Sequence, residues 1–239
     1  MSPPVVRAEG LTKVYGSGAA AVRVFENLSI EVLPGEFVAV VGPSGCGKST
    51  LLHLLAGIDS PDSGFVEIDG VRMSSLDAAA RAKLRNERIG FVFQFHHLLP
   101  EFSAAENVAL PLRIAAVPAR EARRRAGEIL DRVGLAGRAD HFPAEMSGGE
   151  LQRAAVGRAI ARSPRVILAD EPTGNLDRAN ADRVFQLLRD VQRESGGSVV
   201  LVTHDPDLAS RCDKIFSMST QGNGQGTAAP DGGNGSPDV

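Results

Sequence analysis

The sequence predicts an α/β fold, with a mainly parallel sheet interrupted by a helical insertion. Three observations predict it. Continuous apolar runs at 37–41, 166–169 and 199–202 read as strands buried on both faces. Segments of helical spacing lie between them. The first run ends in Gly42-Pro-Ser-Gly-Cys-Gly-Lys-Ser49, a glycine-rich turn of the kind that joins a buried strand to a helix. With 239 residues, 43% of them hydrophobic, the chain can bury one such domain and a subdomain.

The elements follow in order. Residues 5–9 and 28–32 read as short strands around a Gly16-Ser-Gly-Ala-Ala turn region. The strand at 37–41 feeds the glycine-rich loop, and 50–57 reads as the helix behind it. Another strand spans 89–93 and ends at Gln94. From about 95 to 163 the pattern is helical. Ala122, Ala126, Ile129, Leu130 and Val133 place an apolar stripe on a helix over 118–133. Arg120 and Arg123, Arg124 and Arg125 fall on its solvated face. A second helix opens at Gly148 and ends near Pro164. Strands return at 166–169 and 199–202, with a helix at 179–193 between them. The last stretch, 221–239, is rich in Gly, Asn, Ser, Pro and Asp, so it is expected to be disordered and to leave a domain at 1–220.

Composition excludes several classes. A net charge of -3 provides no basic footprint for nucleic acid. No apolar run approaches the roughly 20 residues that cross a bilayer. The start, Met1-Ser-Pro-Pro-Val, has no apolar signal core, so export is not expected. Cys46 and Cys212 suit a reducing compartment. Only four of the 26 basic residues are lysines: Lys13, Lys48, Lys83 and Lys214. Where arginine was used nearly everywhere, Lys48 stands out. A compact ammonium fits between phosphates where a planar fork does not.

The phosphate-loop pattern assigns Gly42, Pro43, Ser44, Gly45, Cys46, Gly47, Lys48, Ser49 and Thr50 to nucleotide binding. Its glycines let backbone N–H groups face phosphate oxygens, and the following helix adds its dipole. Lys48 neutralises β/γ charge, and Ser49 is a ligand for Mg²⁺. Asp170 closes an apolar strand, where a carboxylate faces the ligand crevice of a parallel sheet. It is the second metal candidate, through water, and the adjacent Glu171 is the candidate that polarises the attacking water. Outside these, His53, His96, His97 and His141 lack metal-ligand spacing. Ser147 followed by Glu150 spells a helix N-cap with a capping box.

Between the phosphate loop and Asp170-Glu171 lies Ser147-Gly-Gly-Glu-Leu-Gln-Arg153. In this order and spacing the chain resembles the ATP-binding cassette (ABC) ATPases from about residue 5 to 218. The resemblance implies a phosphate-loop NTPase core with an antiparallel β subdomain and a helical signature subdomain. It implies that Ser147, Gly148, Gly149 and Glu150 contact the ATP held by an opposite subunit, so the working unit is a homodimer. It adds Gln94 to the metal and catalytic sets, His204 as a γ-phosphate contact, and Tyr15 as the aromatic under adenine. Gly174-Asn-Leu-Asp177 resembles the loop by which the two sites sense each other. ATP and Mg²⁺ are the implied cofactors.

A narrower resemblance rests on Phe95-His-His-Leu-Leu-Pro-Glu-Phe102, Ala105-Glu-Asn-Val-Ala-Leu-Pro111 and Ala169-Asp-Glu-Pro-Thr-Gly-Asn-Leu-Asp177. These are similar to the ATPase subunits of lipoprotein-releasing transporters. The implied partners are integral membrane permease subunits, and the implied place is the cytoplasmic face of a bacterial inner membrane. ATPases of macrolide-type efflux pumps and of FtsE-like division complexes share most of the pattern and stand as alternatives. A DNA-maintenance ATPase is disfavoured by the missing heptad-bearing insertion and basic face. The segment after Gln94 is where such ATPases receive a membrane partner, and His96 and Leu98 are the contact candidates.

Overall fold

The computed structural model describes residues 3–219 and 224–228. Among these residues, ten strands form two sheets. The larger has the order β10 (Gly224–Ala228), β9 (Lys214–Met218), β3 (Phe37–Val41), β8 (Ser198–Val202), β7 (Val166–Asp170), β6 (Ile89–Val92). It is parallel from β9 to β6, with Phe37 opposite Val199, Ile167 opposite Val199, and Ile89 opposite Val166. The smaller sheet is antiparallel, in the order β2 (Val22–Val32), β1 (Val6–Tyr15), β4 (Ser63–Ile68), β5 (Val71–Arg72).

Strand alternation divides the core in two. Phe37, Ala39, Ile167, Ala169, Val199 and Leu201 face one side of the parallel sheet. There they meet α3 (Ala104–Ile114), α4 (Ala119–Arg132), α5 (Gly148–Ile160) and α6 (Arg178–Ser195). Val38, Val40, Val166, Leu168, Val200 and Val202 face the other side, against α1 (Lys48–Leu55) and the antiparallel sheet. Burial on both faces is why these strands read as unbroken apolar runs. Two further helices, α2 (Ala78–Arg88) and α7 (Pro206–Ser210), complete the chain.

The structure departs from the sequence reading at three places. β1 and β2 run well past the short strands expected, because register shifts between Ala8 and Val14 let residues 11–15 keep pairing. α2, β4, β5, β9 and α7 lack a strong periodic signal and went unread. The stretch 221–239 is not structureless throughout: Gly224–Ala228 pair antiparallel with the whole of β9. Backbone hydrogen bonds to β9 order this strand, and its sequence, Gly-Gln-Gly-Thr-Ala, has no apolar run to announce it. The other positions of that stretch lie outside the described residues.

Candidate nucleotide site

The C-terminal ends of β3, β6, β7 and β8 meet at one edge of the parallel sheet, where this architecture leaves a crevice. β3 ends at Val41, and the loop 42–47 turns directly into α1. Gly47 is the N-cap of α1 at φ 97°, and a Cβ there would lie 2.4 Å from Val24 Cγ1. Only glycine fits that turn. Lys48 is 8% exposed and its Nζ donates to Gly42 O at 2.8 Å and Pro43 O at 3.0 Å. The ammonium is thus held inside the loop it serves.

Ser49 Oγ donates to Asp170 Oδ1 at 3.1 Å, joining the first turn of α1 to the end of β7. Burial pushes the Asp170 carboxyl above its usual range, and the Ser49 hydrogen bond opposes that shift. The next residue, Glu171, has φ 42°, in the left-handed region that costs a side-chain-bearing residue energy. Its N–H donates to Val202 O at 3.1 Å, so the turn is locked against β8. His204 follows β8 by two residues, and its Nδ1 lies 3.4 Å from Glu171 Oε2. Gln94 follows β6 by two. A Cβ on Gly174 would stand 3.3 Å from Gln94 Nε2 and 3.5 Å from Glu171 Oε2, so amide and carboxylate border the same small space. Lys48, Ser49, Gln94, Asp170, Glu171 and His204, named from sequence, therefore gather at one sheet edge.

Ser147 to Glu150 lie elsewhere. Ser147 caps α5, accepting from Glu150 N at 3.4 Å, while Glu150 Oε2 accepts from Ser147 N at 2.8 Å. Arg138 Nε donates to Glu150 Oε1 at 2.7 Å. Ser147's backbone and hydroxyl hydrogen bonds, then Arg138, hold the Glu150 carboxyl down at about 2. Gly149 abuts α6, where an added Cβ would sit 2.8 Å from Asn180 Oδ1. The N–H groups of Gly148 and Gly149 meet no acceptor among the described residues. No hydrogen bond among those residues ties this turn to the loop 42–47.

A phosphate loop at a sheet edge, an acidic strand end beside it, and a Ser-Gly-Gly helix start whose amides neither of them engages are the parts of a shared-site cassette. The sequence profile of the ABC transporter family matches residues 25–174. The chain belongs to the ABC transporter family. It is an ATP-binding, ATP-hydrolysing cassette of that family. The Lipoprotein-releasing system ATP-binding protein LolD of Bordetella pertussis is 53% identical over 215 residues, covering 90% of this chain and 93% of that protein. LolD of Xanthomonas euvesicatoria pv. vesicatoria is 51% identical, covering 90% of this chain and 88% of that protein. Among solved structures, the ATP-binding cassette MJ0796 in a dimeric post-hydrolysis state bound to ADP and Pi superposes with a TM-score of 0.87. It is 38% identical, covering 94% of this chain and 99% of that one.

Within this ABC cassette, Tyr15 ends β1 and is 43% exposed, with its hydroxyl donating to Asp59 Oδ2 at 2.7 Å. The expected partner contacts, His96 and Leu98, are half-buried. His96 Nδ1 is hydrogen-bonded to Gln152 Oε1 of α5, and Leu98 packs against the larger core. His96 and His97 both have positive φ, and Arg158 of α5 donates to both carbonyls, at 2.8 and 2.6 Å. That clamp fixes the backbone of 96–97 against α5. The apolar side chains left outward are Phe95 at 67% exposed, Leu99 and Phe102.

Sequence reasoning missed Lys13, Asp59, Gln152 and Arg158. One signal for Lys13 was in view: it is another of the four lysines in an arginine-biased chain.

Proposed function

We propose that this cassette is the energy-coupling subunit of a lipoprotein-releasing transporter, and that two copies close on two ATP molecules to drive it. The observation that carries the dimer is the pair of amides left without an acceptor at the start of α5. Lys48, Ser49, Asp170, Glu171 and His204 sit at the sheet edge, while the amides of Gly148 and Gly149 at the start of α5 meet no acceptor among the described residues. A second copy supplies its Ser147–Gly149 turn to complete each site. The dimeric state of the related cassette MJ0796 supports this. The 53% identity with LolD supports lipoprotein release as the work done.

The residue roles follow from position. Loop amides and Lys48 hold the phosphates, with Thr50 and the dipole of α1 behind them. Ser49 Oγ, the Asp170 carboxylate and the Gln94 amide are hard oxygen donors at one corner, a set that fits Mg²⁺. No group of three or more His, Cys, Asp or Glu able to hold a metal occurs among the described residues, as suits an ion that keeps water and phosphate ligands. Bound there, the ion would neutralise charge on the phosphate oxygens. Glu171 orients and polarises the lytic water, and His204 steadies the γ-phosphate from beside it.

No helix among the described residues is long and apolar enough to cross a membrane. Transport therefore needs membrane permease subunits, and the cassette works as a peripheral protein on the cytoplasmic face of the inner membrane. Phe102 opens an apolar groove with Ala105, Ala109 and Leu110 on α3, rimmed by Arg113 and Arg123. This groove, next to the clamped segment after Gln94, is the docking place for a permease helix.

The test is Glu171→Gln. It keeps size and hydrogen bonding and removes the base, so ATP hydrolysis falls by on the order of 100-fold or more. Size-exclusion chromatography with ATP then shows a dimer that ADP does not sustain. A monomer under saturating ATP, with and without permease subunits, would refute the shared site. Release of a macrolide but no lipoprotein from reconstituted vesicles would refute the substrate.

A further inference from the structure

We propose that Lys13 and Asp59 form a brace that fixes the Tyr15 ring for stacking against the base of the bound nucleotide. This rests on the reading of Tyr15 as the base platform.

Asp59 lies in the turn that follows α1, far from Lys13 and Tyr15 in sequence. Its two carboxylate oxygens are divided between them. Oδ1 accepts from Lys13 Nζ at 2.9 Å, and Oδ2 accepts from the Tyr15 hydroxyl at 2.7 Å. Lys13 Nζ donates also to Ser60 O at 2.8 Å and stands 4.8 Å from the centroid of the Tyr15 ring, within cation–π range. The ring is therefore held at its tip by Asp59 and against one side by Lys13. Enough of it stays exposed to stack on a ligand.

Lys13 is only 7% exposed, and a buried ammonium keeps its place only where acceptors surround it. Burial is the largest single influence on each and disfavours both charges, but the Lys13–Asp59 hydrogen bond together with the neighbouring charges and hydrogen bonds outweighs it. Lys13 is raised and Asp59 lowered from their ordinary values. Burial, then the bond to Asp59, raises the Tyr15 hydroxyl, so it remains a donor. The brace stays ionised at neutral pH.

The turn carrying Asp59 is itself fastened at both sides. Ile58 N and Asp59 N donate to His53 O in α1, Asp62 N donates to Thr12 O at 2.9 Å, and Val14 N donates to Asp62 Oδ2 at 2.7 Å. α1 begins at Lys48 in the phosphate loop and ends just before this turn. One helix of about 12 Å thus sets the spacing between the phosphate site and the base platform. A ring fixed beforehand loses less freedom when the base arrives, which raises affinity without a new contact. Lys13 and Asp59 are positioning residues: they act on the nucleotide through Tyr15.

The test compares the full chain binding Mg·ATP and Mg·tripolyphosphate, which has no base. Asp59→Ala is expected to weaken ATP binding roughly three- to tenfold and tripolyphosphate binding less than about twofold. Tyr15→Phe keeps the ring, loses the hydroxyl, and is expected to fall between wild type and Asp59→Ala. Tyr15→Ala weakens ATP at least as much as Asp59→Ala, and Asp59→Ala adds nothing on top of it. If Asp59→Ala fails to fold, Asp59→Asn, which keeps the shape and one acceptor oxygen, replaces it with a smaller loss of the same selectivity. Unchanged ATP affinity in the Asp59 variant, with Tyr15→Ala still impaired, overturns the brace and leaves the platform standing. Equal weakening of both ligands overturns it too, because Asp59 would then act through α1 on the phosphates. No effect of Tyr15→Ala overturns the platform and the brace together.

Discussion

Ser103 and Ser147 open α3 and α5 with the same local chemistry and opposite consequences. Each is an N-cap with a glutamate three residues on, and each forms a full capping box. A box satisfies the amides of the N-cap and of the third helical residue and leaves the first two helical N–H groups unpaired. In α3 those two belong to Ala104 and Ala105. They donate to His141 O and Ala139 O at 2.8 and 2.9 Å, and both alanines are buried. In α5 they belong to Gly148 and Gly149 and have no acceptor among the described residues. The first helix start is consumed by the fold. The second is left open for an anion. Whether a capped helix start is scaffold or site depends on those two amides, not on the cap.

The sharpest way to break this comparison is to place a carboxylate at the first helical position of each. A Cβ on Gly148 would meet only Leu176 Cδ2, at 3.8 Å, so Gly148→Asp fits without disturbing the fold. It puts a negative charge where a phosphate has to arrive. ATP turnover is expected to fall by on the order of 100-fold or more, with the melting temperature near wild type. Ala104 is fully buried, so Ala104→Asp strands a charge in the core and is expected to cost about 3 kcal/mol or more. Thermal melts and ATPase rates on both variants decide it. Equal loss of stability in the two would mean that the α5 start is scaffold as well.

A milder pair removes only the cap hydroxyls. Ser103→Ala is expected to lower stability by about 1 kcal/mol, read by urea unfolding. Turnover per folded molecule should hold, because Ser103 is buried away from the sheet edge. Ser147→Ala costs a similar amount or less, since Ser147 is exposed, yet turnover falls roughly tenfold or more through the lost phosphate donor. Parallel losses of stability and rate in both variants would erase the distinction.

The same contrast explains what the sequence made legible. Lys48, Ser49, Asp170 and Glu171 could be placed together because each stands at a strand end or helix start, and strands buried on both faces announce themselves. Ala-Ala against Gly-Gly after the cap was also readable in principle: alanines fill a core, and glycines leave backbone bare. Lys13 and Asp59 could not be paired, because nothing local links the end of β1 to the turn after α1. His96 and Leu98 were assigned outward because a loop segment has no period to reveal its inner side. The Arg158 clamp on the backbone of 96–97 lies some 60 residues away. β10 escaped because edge pairing is a property of the backbone and composition does not report it.

The smallest effect concerns the charge that holds the α5 cap. Glu150 is held down from 4.5 to about 2, first by the Ser147 hydrogen bonds and then by Arg138. A carboxyl whose pKa is lower folded than unfolded stabilises the fold above its unfolded value. That contribution fades as pH falls through the folded one. Arg138 is nearly half exposed, so solvent screens the pair, and the contribution is about 1 kcal/mol at neutral pH. Glu150→Gln keeps an acceptor for Ser147 N and loses the charge. Its deficit relative to wild type, measured by urea unfolding, is expected to be constant above about pH 5. It should shrink steadily between 4.5 and about 2. Gly148 and Gly149 stay bare in this variant, so turnover at neutral pH should fall by less than in Ser147→Ala. A deficit that grew on acidification would mean that Glu150 is strained by its neighbours rather than held by them. The open helix start would then be kept in place by the packing of Gly149 against Asn180 alone.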